Sequence, residues 1–579
     1  MQKLYYNGII LTMEENALPE AVLTENGVIT QIGSYDTLAA AAQNAEKIDL
    51  MGKTMLPAFI DAHSHFSSYA NSFLQVPLEE CTTFDEIAQR VKNFIAVNHI
   101  AAGQWVAGKG YDHNTLLEKR HPDLHLVDAC APENPLVLQH VSGHVGVFNT
   151  KAMTALGITP DTPSPAGGVI GHENGALTGY MEENAFFTFL KNVPLPDMEA
   201  LMSAYEKAQE GYAAHGITTM QEGMAVSQMI PLFRQLLSKN MLKLDLVGYA
   251  DLKDADALFA AFPASVQKYD RHFKINGYKI FLDGSPQGRT AWMKQPYLGE
   301  QDDCGYGTMQ DSQVLAAVQR AAESGMQLLA HCNGDAAAQQ YIDAIKTVSG
   351  KADIAKLRPV MIHAQLLAKE QLPDVKATGL IPSFFIAHVF HWGDIHVKNF
   401  GIERAAAISP AGSALARGIL FTFHQDTPVL EPDMLETVWC AVNRVTKSGA
   451  ILGAEERISA YDALKAVTLH AAYQYFEENT KGSIAVGKHA DFVILDQNPL
   501  TVAPMAIRDI AVLATIKEDK VLYEAPCRES ANCLKGVSLR HGEILPSPFC
   551  ANHKVPPPTW VLRRHFLNDK RLLSCNSFL

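Results

Sequence analysis

Residues 276–285 read NGYKIFLDGS, and the way this stretch is folded decides the architecture. Tyr278, Ile280 and Leu282 recur at every second position, which is the spacing of a strand with one apolar face. Gly277, Lys279 and Asp283 fall on the other face. A lysine on the second face of an otherwise buried strand needs either a charged partner or a chemical role.

Seven further segments share this form, a short apolar run ending in polar groups: LPAFIDAHSH (56–65), GITTMQEG (216–223), LKLDLVGYA (242–250), GMQLLAHCNG (325–334), RPVMIHAQ (358–365), LIPSFFIAH (380–388) and ILFTFHQDTP (419–428). Helical stretches such as DSQVLAAVQRAAES (311–324) lie between them. Eight strands alternating with helices predict an α/β fold, a (β/α)8 TIM barrel over residues 57–475. The gap between the first two strands is too long for one helix. Residues 76–205 therefore read as an insertion after the first barrel strand, a lid or substrate pocket with strands in QWVAGKGYD (104–112) and NPLVLQHVSGHVGVF (134–148) and a hairpin in GGVIGHENGALTGYM (167–181).

Residues 1–56 carry short strands and Asn-Gly turns and predict a small sheet. Residues 476–525 return to short strands that can pair with it. From Pro526 the composition changes: 526–579 hold four of the nine cysteines, VPPPTW and a basic run. That segment reads as disordered or as a frameshifted, read-through end. Cys527, Cys533 and His541 lack paired CxxC spacing and are assigned no metal.

With 47% hydrophobic and 19% charged residues, the 579-residue chain has the composition of a soluble globular protein. A net charge of −14 offers no footprint for nucleic acid. The sequence contains neither a signal peptide nor a run of about 20 apolar residues, so a cytoplasmic location without membrane contact is expected. The dispersed cysteines fit reduced thiols. The chain is compatible with assembly as a homo-oligomer.

Candidate chemistry gathers at the strand ends. His63 and His65, two residues apart, leave one face of a strand and can chelate one ion. His331, His363, and His424 with Asp426 end three further strands. If His331 faces inward, so do Leu329 and Gln327, and the same rule puts His363 inward beside Met361. Asp426 lies nearer the strand end than His424 and is preferred as ligand and base. His424, one layer deeper, reads as a structural or supporting histidine.

DAHSHF, SGHVGVFNTKAMTALGI, GGVIGHENGALTGYMEE, GITTMQEG, YKIFLDGSPQGRTA, AHCNGDAA, IHAQ, HQDTPV and KGSIAVGKHADFVILDQNP together resemble the amidohydrolase superfamily, in the family 3 branch that includes N-substituted formamide deformylase-like enzymes. The resemblance spans about residues 1–525. It implies a barrel capped by a composite β-sandwich from both chain ends, with one or two divalent metal ions, usually zinc. It also implies that His63, His65 and Asp426 bind the first ion and that His331 and His363 bind the second. Lys279 falls where many members place a bridging ligand. An ammonium has no lone pair, but carbamylation by CO2 would give Lys279 an anionic oxygen. The competing reading is an ion pair of Lys279 with Asp283 or Glu222.

The implied reaction is hydrolysis of a non-peptide carbon–nitrogen bond by a water that the metal acidifies, with Asp426 moving the proton, and the implied partner is a small-molecule amide or ester substrate. Arg289 and His144 are candidates to bind a substrate carboxylate or oxyanion, their alternative roles being a salt bridge and a core hydrogen bond. His388, His391 and Trp392 follow the seventh strand, and His391 is the candidate pocket residue among them. Tyr111, Asp112 and His113 in the insertion read more simply as a turn. Hydrolysis of an ester or lactone on the same site, or a non-catalytic binding or regulatory role, is the alternative. A deaminase is disfavoured, because CNGD after His331 supplies no glutamate.

Overall fold

Eight parallel strands form one curled sheet: β1 (Phe59–Ile60), β2 (Ile217–Ala225), β3 (Asp245–Asp251), β4 (Phe273–Phe281), β5 (Gln327–Cys332), β6 (Val360–His363), β7 (Ile381–Phe384) and β8 (Thr422–Phe423). Each pairs with the next in chain order, which makes the fold TIM-barrel-like. Gln474 bridges the seam between β1 and β8. Its amide nitrogen donates to the Ala62 carbonyl and its carbonyl accepts from Thr422 Oγ1, both at 2.8 Å. The computed structural model describes residues 1–14, 18–194, 196–350 and 353–526. The expectations for residues 527–579, including Cys527, Cys533 and His541, therefore lie outside the described residues.

Alternation in β4 runs as its sequence dictates. Tyr278 and Ile280, followed by Leu282, join the core shared with the helices, while Lys279 is directed at His63. A side chain at Gly277 would put its Cβ 2.0 Å from the Gln327 carbonyl, so only glycine lets β4 and β5 close here. Inside the barrel Ile60, Val247, Tyr249, Leu329, Val360, Ile362 and Ile381 form a separate apolar cluster below the strand ends. Gln327 also faces inward and accepts from Tyr249 at 2.5 Å and Asn276 at 2.9 Å.

One expectation fails in β6. Met361 packs in the outer core, whereas Val360 and Ile362 face inward. His363 does not follow strand parity, because its backbone turns left-handed at φ 70° and Ala364 follows at φ 47°. The strand ends there, and its last side chain is re-aimed.

Outside the barrel, helix Asp311–Ser324 buries Val314, Ala317, Val318 and Ala321, a 3–4 spacing that forms one apolar stripe toward the sheet. The insertion contains a six-stranded sheet that includes Val106–Tyr111, Leu136–His140 and the hairpin Gly168–Glu173/Ala176–Glu183. A five-stranded sheet joins Ile9–Ile10 and Thr54–Pro57 to Phe492–Leu495, Val512–Lys517 and Lys520–Glu524, so the two chain ends share hydrogen bonds. Tyr5, Val22 and Ile29 of the neighbouring four-stranded sheet pack with its Met55, Phe492 and Ile516. Cys81, Cys130, Cys304, Cys332 and Cys440 are free thiols. Among the described residues no helix is long and apolar enough to cross a membrane.

Barrel and C-terminal sheet are tied by a buried charge network. Asp245, at the start of β3, accepts from Lys481, from Lys517 at 2.7 Å and from His272 at 2.8 Å; Glu477 holds Lys481 at 3.0 Å and also Lys274. Burial opposes the Asp245 charge, but Lys481 and Lys517 outweigh it and hold the carboxyl well below its ordinary 3.8. Asp245→Ala leaves two buried ammonium groups short of a counter-charge, and a loss of about 3–5 kcal/mol is expected in denaturant unfolding. The Asp245 contribution is present above the ordinary carboxyl range and fades as pH falls toward its lowered folded value. An unchanged unfolding midpoint would show that the network is dispensable.

Candidate metal centre and active site

The C-terminal strand ends bring His63, His65, His363 and Asp426 around one point. His63 Nε2 and His65 Nε2 lie 3.5 and 3.4 Å from Asp426 Oδ1, and His363 Nε2 lies 3.9 Å from Asp426 Oδ2. The His331 ring packs edge-on to His363, with centroids 4.6 Å apart. Lys279 Nζ is 3.1 Å from His63 Nε2. Five of the six sequence candidates thus meet at one centre, and His331 borders it through His363. The left-handed turn seen at His363 recurs at Asp426, φ 55°, and both side chains leave the barrel wall at such turns.

Hydrogen bonds set the ring orientations. Gln221 Oε1 accepts from His63 Nδ1 at 2.6 Å, and the Gln221 amide nitrogen is fixed by the Ala62 carbonyl and Tyr475 Oη at 2.8 and 2.7 Å. With its amide so held, Gln221 must present oxygen, and the His63 Nε2 lone pair is left facing Asp426 and Lys279. Asp283 plays the same part for His331: its carboxylate accepts from His331 Nδ1 at 3.1 Å and from the backbone N–H groups of Asn333, Gly334 and Trp292. His363 Nδ1 meets His424 Nε2 at 3.1 Å, and His424 Nδ1 meets Ser383 Oγ at 2.9 Å. Glu222 accepts from the Ser67 N–H at 2.8 Å, holding the first turn of the helix that follows His65. A Cβ at Gly223 would stand 2.5 Å from His63 Cε1, so glycine leaves room for the imidazole.

The electrostatics keep these donors available. Burial, reinforced by Lys279, pushes the His63 imidazole well below its ordinary value. Burial and His331 do the same for His363. Asp426 remains low despite burial, because His65, His424 and Lys279 favour its anion. Burial brings the Lys279 ammonium down to about 7 against the pull of Asp426. Neither expected ion pair of Lys279 is formed: Asp283 is committed to His331 and three backbone donors, and Glu222 to Ser67.

Three further candidates have carboxylate partners instead. His144 Nδ1 is 2.9 Å from Glu183, Arg289 donates to Glu300 and to Asn399 at 3.0 Å, and His391 Nε2 is 2.6 Å from Glu436. His388 and Trp392 pack on Phe385, which in turn contacts the His424 ring. Gln221, Tyr475 and the role of Asp283 escaped the sequence reading. No local pattern marks Gln221, because its strand also carries Thr218, Thr219 and Glu222.

The donor set suits a divalent ion. Asp426 Oδ1 is buried and accepts no hydrogen bond. Its 3.4–3.5 Å separation from two imidazole nitrogens is close to the roughly 3.3 Å between neighbouring ligand atoms of a tetrahedral site with bonds of about 2.0–2.1 Å.

A TIM-barrel-like fold with imidazoles and a carboxylate at its strand ends has the make-up of a metal-dependent hydrolase. Residues 46–523 match the model of the amidohydrolase family, and the chain belongs to that family. It is 27% identical to the YtcJ protein of Bacillus subtilis (strain 168) over 559 residues, covering 90% of this chain and 100% of that one. It is also 27% identical to the N-substituted formamide deformylase of Arthrobacter pascens over 533 residues, covering 88% and 96% of the two chains. A metal-dependent hydrolase of unassigned activity from Pyrococcus horikoshii OT3 shares the fold at a TM-score of 0.71 and 23% identity, covering 87% of this chain and 99% of that one.

Proposed function

We propose that the protein hydrolyses a carbon–nitrogen bond in a small, non-peptide amide. The observation that carries this reading is the buried, unpartnered Asp426 Oδ1 facing His63 Nε2 and His65 Nε2, with Lys279 beside them. His63, His65 and Asp426 would hold one divalent ion, zinc being the best match to imidazole and carboxylate donors, and His331 and His363 a second, with a carbamylated Lys279 between them. Bound there, such ions supply Lewis acidity toward the scissile carbonyl and acidify a water.

The chain's own groups do the rest. Asp426, ionised and without a hydrogen bond on one oxygen, takes a proton from the attacking water and delivers it to the leaving nitrogen as the C–N bond breaks. Gln221 and Asp283 keep His63 and His331 in the tautomers with Nε2 unprotonated, where Lys279 and Asn333 approach them at 3.1 and 3.3 Å. His144, Arg289 and His391 are proposed to orient the substrate only through release from Glu183, Glu300 and Glu436. The relative that deformylates N-substituted formamides makes formamides the first substrates to try. The two sheets that share a core are read as the composite sandwich.

The test is a substrate panel of formamides, N-acyl amino acids and aryl esters, with bound metal measured in parallel. Hydrolysis of an amide, abolished by a chelator and restored by zinc, is expected. Full activity in metal-free protein would overturn the mechanism, and turnover of esters alone would replace the amide reading.

A further inference from the structure

We propose that Asp112, His113 and His140 form a second binding site, in the inserted sheet, for a divalent transition-metal ion of the zinc class. The reasons are topological and geometric. Strands Val106–Tyr111 and Leu136–His140 are parallel neighbours, and His140 pairs with Tyr111 across a register shift. Asp112 and His113 leave the end of one strand and His140 ends the other, so two parallel strand ends deliver three ligand-bearing side chains to one place. The barrel uses the same construction.

His113 Nδ1 is 3.0 Å from His140 Nε2, and Asp112 Oδ1 is 3.9 and 3.6 Å from those two atoms. One point then lies at about 2 Å from all three, the ordinary length of a bond from zinc to imidazole or carboxylate. No other group of three such ligands outside the barrel centre is this close among the described residues. Three protein ligands leave room for a fourth, exchangeable one.

The surroundings fix the ligands. Asp112 Oδ1 accepts from the Asn114 backbone N–H at 2.8 Å, a turn that aims the carboxylate. His121 lies face to face on His113 at 4.2 Å and its Nδ1 meets Tyr111 Oη at 3.0 Å. His140 Nδ1 receives the Ser142 N–H at 3.1 Å, which places the ring proton on Nε2, where it is shared with His113. When an ion takes Nε2, that proton moves to Nδ1, and Ser142 Oγ at 2.8 Å accepts it.

The experiment separates this site from the barrel centre. Full-length protein carrying H63N and H65N is stripped of metal and titrated with Co2+, followed by its visible ligand-field absorption and by metal analysis. The expected result is one equivalent more of bound Co2+ than in the same background carrying H140Q, whatever ion His331 and His363 retain in both. Equal binding with and without H140Q would overturn the proposal. If the H140Q protein does not fold, as judged by circular dichroism, the near-isosteric D112N decides. Loss of a direct ligand should weaken the ion at least about 10-fold, the lower bound for losing even an outer partner. Unchanged affinity in D112N would sink the site.

Discussion

Asp426→Asn is expected to leave the barrel folded and to lower amide turnover at least about 100-fold, the scale for losing an acid–base group. Asparagine matches the shape of aspartate, so the close packing at the strand end is retained, but it can neither take a proton from water nor carry the negative charge. In the native site that charge is secured by His65, His424 and Lys279 despite burial. The substitution also removes one donor from His63, His65 and Asp426, so bound metal must be counted in the same preparation. Metal retained with a large fall in kcat assigns the proton shuttle to Asp426. Loss of metal and rate together, with rate recovered at high metal concentration, assigns it only a binding part. An unchanged rate refutes both.

Most of the barrel was legible because each strand is an apolar run ending in a polar group, and that pattern is local. LPAFIDAHSH and ILFTFHQDTP could be read as first and eighth strands without knowing that Gln474 bridges them. What parity could not reveal was the left-handed backbone at His363, which turns that side chain to the centre although Met361, of the same parity, lies on the helix side. The ring-orienting groups were illegible for another reason. Gln221 acts on His63 from 158 positions away and is itself held by Tyr475, 254 positions further on. Nothing in the local sequence distinguishes such a glutamine from a solvated one. In the insertion, reading Asp112 as a turn residue agrees with its bond to Asn114, yet His140 comes beside it only through parallel pairing of strands.

Lys279→Ala is expected to lower activity by a comparable factor, at least about 100-fold, and to reduce bound metal, with part of the rate returning on addition of a short carboxylic acid. The side chain is 1% exposed and lies against His63 rather than any carboxylate, so a simple ion pair does not account for it. Burial brings its amine to about 7. Below that value the group is an ammonium with no lone pair; as pH rises through it, the neutral amine can attack CO2, forming a C–N bond and releasing one proton. Metal reconstitution of the stripped protein should therefore improve with bicarbonate and with pH across the neutral range, and labelled bicarbonate should yield a carbamate carbon signal in NMR. An added carboxylate can stand in because it offers the same pair of anionic oxygens in the space that alanine vacates. Lys279→Arg keeps the charge but cannot form the carbamate, so it should be as impaired as alanine and resist rescue. If Lys279→Ala keeps its full metal content and full activity, the carbamate is excluded and Lys279 is reduced to a hydrogen-bonding neighbour of His63.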